Sequence, residues 1–406
     1  MSLTDQQQLE QRYMLHTYRR KPVQFISGSG MTLTDDEGST YLDFIAGIGA
    51  VSMGHDHPAV TRAIQEQAAR LLHVGNYYYI EGRGELAQKL SQLLNAACSA
   101  ADAAPWRTFF ANSGAEANEG AIKLARRHGS LHLSGAYTIV SAMRSFHGRT
   151  LASLAATAQP SKQEAFKPLP SGFVHVDLND IAALIQELDH PSAGTVCAVI
   201  LECIQGEGGV HPCSLEYLQA VREETEKRNI LLIIDEVQTG FYRTGGQPFA
   251  FQHYDIMPDI VSLAKGLGNG MPVGAVCARG EIGDCFEPGD HGSTFGGSAL
   301  AVAAANATID AMTQQGIAEQ VVEVGGYLQQ RLSGLPLVIE TRGKGLMLAA
   351  ELSKPVAAQV VDACLEQGLV INNTGPSTLR FLPPLICTIT EIDLMIPVLH
   401  DILSAL

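Results

Sequence analysis

The chain has 406 residues, of which 46% are hydrophobic and 17% charged, with a formal net charge of −15. That length holds one large domain or two ordinary ones around a full core. An acidic balance with no basic cluster excludes the usual electrostatic footprint of a nucleic-acid binder, and no run of eighteen uncharged apolar residues suggests a membrane span.

The first stretch, "MSLTDQQQLEQRYMLHTYRR", has no continuous apolar core, so neither a signal peptide nor a membrane anchor is expected there. Residues 23–51 contain "GMTLTDDEGSTYLDF", an alternating pattern with a D-D-E-G turn that predicts a β-hairpin. "GHDHP" (Gly54 to Pro58) reads as a turn before a helix. From there short apolar runs alternate with helical stretches. "RTFFAN" ends at Asn112 and is followed by "EANEGAIKLARRH"; "AYTIVSA" precedes "SFHGRT"; "TVCAVILEC" precedes "IQGEGG" and the helix-like "SLEYLQAVREETEKR"; then come "NILLIIDE" and "DIVSLAK". Apolar strands between helices predict an α/β fold with a mostly parallel sheet covered on both faces. This large domain is placed at residues 60–300, and a small α+β domain is expected from both termini, residues 1–59 and 301–406. Eight cysteines show no C-x-x-C, and Cys197, Cys203 and Cys277 sit in apolar, strand-like runs. That suits reduced core thiols of a cytoplasmic protein, with no metal site expected.

In open parallel sheets, ligands bind beyond the carboxyl ends of the strands. Asp235, Glu236 and Lys265 fall there, as do Asn112-Ser113-Gly114, Phe146-His147 and Gln205-Gly206-Glu207. One chemistry accounts for an acid and a lone amine in such a crevice. A lysine amine holds an aldehyde cofactor covalently, and pyridoxal phosphate needs an acid beside its ring nitrogen. An ionised Asp235 is costly to bury without such a cation. Ser113, Gly114 and Ala115 open a helix, where backbone N–H groups favour a phosphate. "GLGNGM" has two of three Rossmann glycines but Met271 in the third place, so a nicotinamide enzyme is not supported.

With these residues in view, the chain closely resembles the class III (ω-amino acid) aminotransferases of fold type I, most closely the acetylornithine aminotransferases. The resemblance runs from "YLDFIAGIGAVSMGHDHP" through "FFANSGAEANEGAIKLAR", "LIIDEVQTGFYRTG", "SLAKGLGNGMPVGA" and "HGSTFGG" to "LRFLPPL". It implies pyridoxal 5′-phosphate held by Lys265, with Asp235 partnering the ring nitrogen, Gln238 the phenolic oxygen and Phe146 stacking on the ring. Ser113, Gly114 and Ala115 resemble the phosphate cup, with His147 and Glu236 beside the cofactor. Thr294 resembles the residue that reaches the phosphate from a neighbouring subunit, which implies a homodimer with shared sites. Arg149 and Arg380 resemble two carboxylate clamps, Glu207 the acid that neutralises Arg380, and Ser293 a further substrate-binding residue, while Gly75 to Leu90 resembles the entrance segment, in which Asn76 and Tyr77 are expected to contact the donor's tail.

The implied reaction is transamination in two half-reactions. The terminal amino group of N-acetyl-L-ornithine passes to 2-oxoglutarate, giving a semialdehyde and L-glutamate, a step of arginine biosynthesis. Ornithine, succinylornithine or 4-aminobutyrate as donor, or an aminomutase using the same lysine and aspartate, remain open on the residues. Two departures stand out: Cys203 where many relatives have proline, and Ser298 where asparagine is common.

Overall fold

The structure, a computed structural model, describes residues 2–98 and 103–406. The chain enters through an antiparallel meander of β1 (Phe25–Ser29), β2 (Thr32–Asp35) and β3 (Thr40–Asp43). The expected hairpin is its second half. Asp35 closes the turn by accepting from Ser39 N at 2.8 Å and Glu37 N at 3.0 Å.

The next strands are β4 (Trp106–Ala111), β5 (Thr138–Ala142), β6 (Phe173–Val176) and β7 (Val196–Leu201), then a two-residue ladder of β8 (Ile204–Gln205) and β9 (His211–Pro212). β10 (Leu231–Asp235), β11 (Ile260–Leu263) and β12 (Gly274–Arg279) follow. Seven of these form one sheet in the order β4-β12-β11-β10-β7-β5-β6. Its strands run parallel except β12, which is antiparallel to both β11 and β4. The mostly parallel sheet expected from the sequence is therefore present, with one reversed strand that the "MPVGA" motif did not announce.

β5, β7, β10 and β11 are buried at every position because helices cover both faces. Side chains alternate along a strand. Leu231 and Ile233 pack with Ala121, Ile122 and Leu124 of the helix Gly114–His132, whereas Leu232 and Ile234 pack with Leu218 and Val221 of the helix Leu215–Lys227. Each such side chain contributes about 1.5–3 kcal/mol relative to exposure. Ser113 and Ser214 cap these two helices, each accepting from the backbone N–H three residues on.

The remaining strands are β13 (Val338–Lys344), β14 (Met347–Leu352), β15 (Leu369–Val370), β16 (Asn372–Asn373) and β17 (Thr378–Phe381). β13, β14, β17 and β16 make one small sheet, and β15 joins β3 in parallel, tying the C-terminal part to the N-terminal meander. The helix Ala299–Gln314 packs on Pro58–Ala68. Among the described residues no helix is long and apolar enough to cross a membrane.

Candidate active site

A cavity of about 370 Å³ opens where β4, β5, β7, β10 and β11 end, and its walls include Ser113, Gly114, Ala115, Phe146, His147, Arg149, Glu207, Asp235, Gln238 and Lys265. That volume lies in the range of sites for small organic ligands.

Asp235 closes β10 and is 4% exposed. Its Oδ2 accepts from Asn118 Nδ2 at 2.7 Å and lies 2.8 Å from His147 Nδ1, while Oδ1 accepts from Val237 N at 3.0 Å. Asn118 also donates to the His147 carbonyl at 2.7 Å, which locks helix and loop around the carboxylate. Burial disfavours a charged His147 ring, but the hydrogen bond and charge of Asp235 outweigh it and raise the pKa above the ordinary histidine value. His147 Nε2 is buried and, among the described residues, without a hydrogen-bond partner.

Lys265 follows β11 at the start of the turn Lys265–Leu267, with φ of 47°. A lysine in this left-handed region carries backbone strain, which the surrounding fold imposes at the cavity wall. Burial lowers its pKa to about 8; the negative charge of Glu207 opposes that shift and Arg380 adds to it. At neutral pH about a tenth of the amine is therefore free base and nucleophilic, far more than for an ordinary lysine.

Behind these groups sits Glu202, directly after β7. Phe146 N donates to its Oε2 at 2.9 Å and Gly206 N to its Oε1 at 3.1 Å. Burial pushes its pKa to about 7, although the charge of His147 pulls the other way. Glu202 thus fixes the loop that carries Phe146 and the loop that leads to Glu207.

Arg380, on β17 and 1% exposed, donates to Glu207 at 2.5 Å and to Asn372 Oδ1 at 3.2 Å. Burial alone would raise the Glu207 pKa, but Arg380 holds it below the ordinary carboxylate range. Gly206 leaves room for the Gln238 side chain beside this pair: a Cβ there would stand 2.0 Å from Gln238 Oε1 and displace its amide. Arg149 is exposed, with its guanidinium 5.5 Å from the centre of the Phe146 ring. Lys162 Nζ lies 5.1 Å from the same ring, its pKa lowered by burial and then by Arg149. Arg149 and the Glu207 acid thus line the cavity together, with Arg380 behind Glu207.

At the far wall, Ser113 Oγ caps the helix by accepting from Glu116 N at 3.2 Å. The first-turn N–H groups of such a helix have no intrahelical partner and face an anion well. A Cβ on Gly114 would approach Val237 to 2.7 Å, so the close backbone contact depends on glycine.

Besides Arg380, which stands behind Glu207 rather than in the lining, four expected residues stand elsewhere. Glu236 does not line the cavity; its carboxylate accepts from Thr239 Oγ1 at 2.5 Å and Phe251 N at 2.8 Å. The reason is strand alternation, which turns Asp235 towards Asn118 and Glu236 towards the opposite core. Burial raises its pKa to about 7, the mark of an internal structural acid. Ser293 and Thr294 line a separate surface hollow with Asn112 and Glu116, where Ser293 Oγ accepts from Asn112 Nδ2 at 3.1 Å. Tyr77 is 99% exposed. Conversely, Asn118, Glu202, Lys162 and Asn372 act in or behind the walls without having been singled out. A carboxylate at the end of "AVILE" was the one signal available for any of them.

These walls fit the aldehyde cofactor expected from the sequence. They combine a buried anion, a partly neutral amine, a helix N-terminus free to bind phosphate, and an unpartnered ring nitrogen on His147. The profile of the class-III aminotransferase family matches residues 13–403. The chain is 46% identical over 400 residues to the acetylornithine aminotransferase of Caldanaerobacter subterraneus subsp. tengcongensis, covering 97% of this chain and 98% of that relative. It is likewise 46% identical over 410 residues to the acetylornithine aminotransferase of Gloeobacter violaceus, covering 100% of this chain and 98% of that one. Among solved structures, the ornithine aminotransferase of Toxoplasma gondii superposes with a TM-score of 0.91 at 30% identity, covering 100% of this chain and 94% of that chain. That structure holds pyridoxal phosphate at partial occupancy in its active site.

Proposed function

The chain belongs to the class-III aminotransferases, which are pyridoxal 5′-phosphate enzymes, and on that premise we propose that it moves the terminal amino group of N-acetyl-L-ornithine to 2-oxoglutarate in arginine biosynthesis. The observation that carries the reading is the one lysine among the described residues lining the cavity, Lys265, together with the buried Asp235–His147 pair in the same walls. When bound, the cofactor supplies an aldehyde for the amine and a ring that accepts electron density from the donor's reacting carbon. In our reading Lys265 holds that aldehyde, then serves as base and acid at the donor carbon, for which a pKa of about 8 is suited. Asp235 keeps the ring nitrogen protonated, and its own charge is held in place by Asn118, His147 and Val237 N. The first turn of the helix from Gly114 holds the phosphate. Phe146 and Gln238, both in the cavity walls, would cover a ring face and meet the phenolic oxygen of the bound cofactor.

Selection between the two substrates falls to three charges. Arg149 grips the carboxylate distal to the reacting carbon in both half-reactions. Glu207 keeps Arg380 neutralised while an ω-amine donor, with no carboxylate beside its reacting carbon, occupies the site. With 2-oxoglutarate the acid releases Arg380 for the α-carboxylate. Arg380→Ala should therefore slow the oxo-acid half-reaction about 10²-fold while leaving the donor half within a few-fold. Arg149→Ala should slow both. Single-turnover rates separate these cases, and equal damage from Arg380→Ala would remove the switch.

A panel of ω-amine donors with 2-oxoglutarate tests the substrate assignment directly. N-Acetylornithine should give the highest kcat/KM, with glutamate formed in equal amount; a clear preference for ornithine or 4-aminobutyrate would reassign the donor.

We also propose a cytoplasmic homodimer. Tyr77, Tyr78 and Tyr79 are 99%, 64% and 104% exposed, and Phe295, next to Thr294, is 61% exposed. Such a patch is costly in water and supports burial against a second copy that would bring Thr294 to the partner's phosphate. Sedimentation showing a monomer at assay concentration would remove this part.

A further inference from the structure

At the opposite end of the helix Gly114–His132, roughly 24 Å along its axis from the proposed phosphate site, His128 and His132 stand one turn apart with ring centres 4.8 Å from each other. Spacing of four residues puts both rings on one helix face. That face meets Cys285, which follows the turn Gly280–Asp284 and is 5% exposed. Cys285 Sγ lies 3.8 Å from His128 Nδ1 and 3.9 Å from His132 Nε2, and the three ligand atoms fall within 4.8 Å of one another.

We propose that His128, His132 and Cys285 bind one divalent zinc-like ion, with the fourth position open to water. Bond lengths of about 2.0–2.1 Å to nitrogen and 2.3 Å to sulfur, at a tetrahedral angle, put sulfur and nitrogen about 3.6 Å apart. The sulfur–nitrogen separations need only a few tenths of an ångström of closure, while the three atoms together, within 4.8 Å of one another, close further by rotation of the imidazole rings. One thiolate and two imidazoles form a borderline-soft donor set, which selects zinc or cobalt over magnesium or calcium. The nearest carboxylate in sequence, Asp284, is engaged by Arg107 at 2.5 Å, so the ligand set is these three side chains. The exposed His132 ring gives the ion a path from solvent.

Nothing in transamination uses these groups. Their placement instead ties the last turn of the helix to the segment that leads to Ser293 and Thr294. An ion bound only by the folded chain raises its stability by mass action.

The test uses untagged holoenzyme, with zinc uptake read by competition against a chromophoric chelator and cobalt(II) as the spectroscopic probe. One ion per chain is expected, with a cobalt–thiolate charge-transfer band and a higher melting midpoint in zinc. Cys285→Ser should remove the band. His132→Gln, at an exposed position where folding is not at stake, should weaken binding at least tenfold. Turnover should stay unchanged in both variants. Unaltered zinc affinity in Cys285→Ser and His132→Gln, or no stoichiometric uptake by the wild-type enzyme, would overturn the assignment.

Discussion

Lys265→Ala should lower turnover by about 10⁴-fold or more while leaving a folded chain that still takes up pyridoxal phosphate. Among the described residues, Lys265 carries the only primary amine that lines the cavity. One substitution therefore removes both the covalent anchor and the group proposed to move the proton. Folding should survive, because the lost ammonium was held in a poorly solvated place that costs stability. Borohydride treatment of cofactor-loaded wild type should fix a mass increment on Lys265, and the variant should show none. Residual activity within tenfold of wild type would mean that another amine does the work, Lys162 being the nearest candidate by its 5.1 Å approach to Phe146. The pH dependence gives a second arm. A pKa lowered to about 8 means the reactive free base grows as pH rises and saturates above 8. Acetic anhydride labelling of Lys265 in cofactor-free protein should then be half-maximal near pH 8, whereas exposed lysines go on gaining reactivity towards pH 10.4 or so. A Lys265 profile matching theirs would refute the lowered value.

Much of this arrangement was legible because parallel strands announce themselves. Uninterrupted apolar runs such as "LLIID" are needed when helices cover both faces, and a charge at the end of such a run marks the rim of the sheet. That logic led to Asp235 and Lys265, and the cavity lies at those strand ends. It failed at Glu236, one residue further on, because a run with no polar alternation hides which side chain faces which core. The run around Cys277 read as a strand, but the reversed direction of β12 escaped, because an apolar run does not say which way it pairs. Asn118 and Lys162 escaped for a different reason. Their partners are 117 residues away in Asp235 for the first, and the Phe146 ring and Arg149 for the second, so only the fold makes them neighbours. Glu202 lay in plain view at the end of β7, yet its two backbone donors come from loops that nothing in local spacing connects. Thr294, Ser293 and Tyr77 belong to another category. They are outward on one chain, and any role at the cofactor requires a second copy.

Asp235→Asn keeps the shape of the anion site and removes its charge, and the chemical step should slow by about 10²–10⁴-fold. The range spans the rate losses typical of removing one preorganised electrostatic partner and of an Asp-to-Asn change behind a catalytic ring. Two routes to that loss are possible in this geometry. The carboxylate could act on the cofactor nitrogen itself, or it could act only by holding His147, whose pKa it raises. Asp235→Asn should in either case lower the pH at which His147 titrates, readable from its ring proton by NMR. His147→Asn separates the routes, because it removes the ring while Asn118 and Val237 N still orient the carboxylate. If Asp235 works directly, His147→Asn should cost about tenfold and Asp235→Asn far more. Equal losses from the two variants would make Asp235 a positioning residue for His147. A chemical step within threefold of wild type in Asp235→Asn would remove the carboxylate from the reaction altogether.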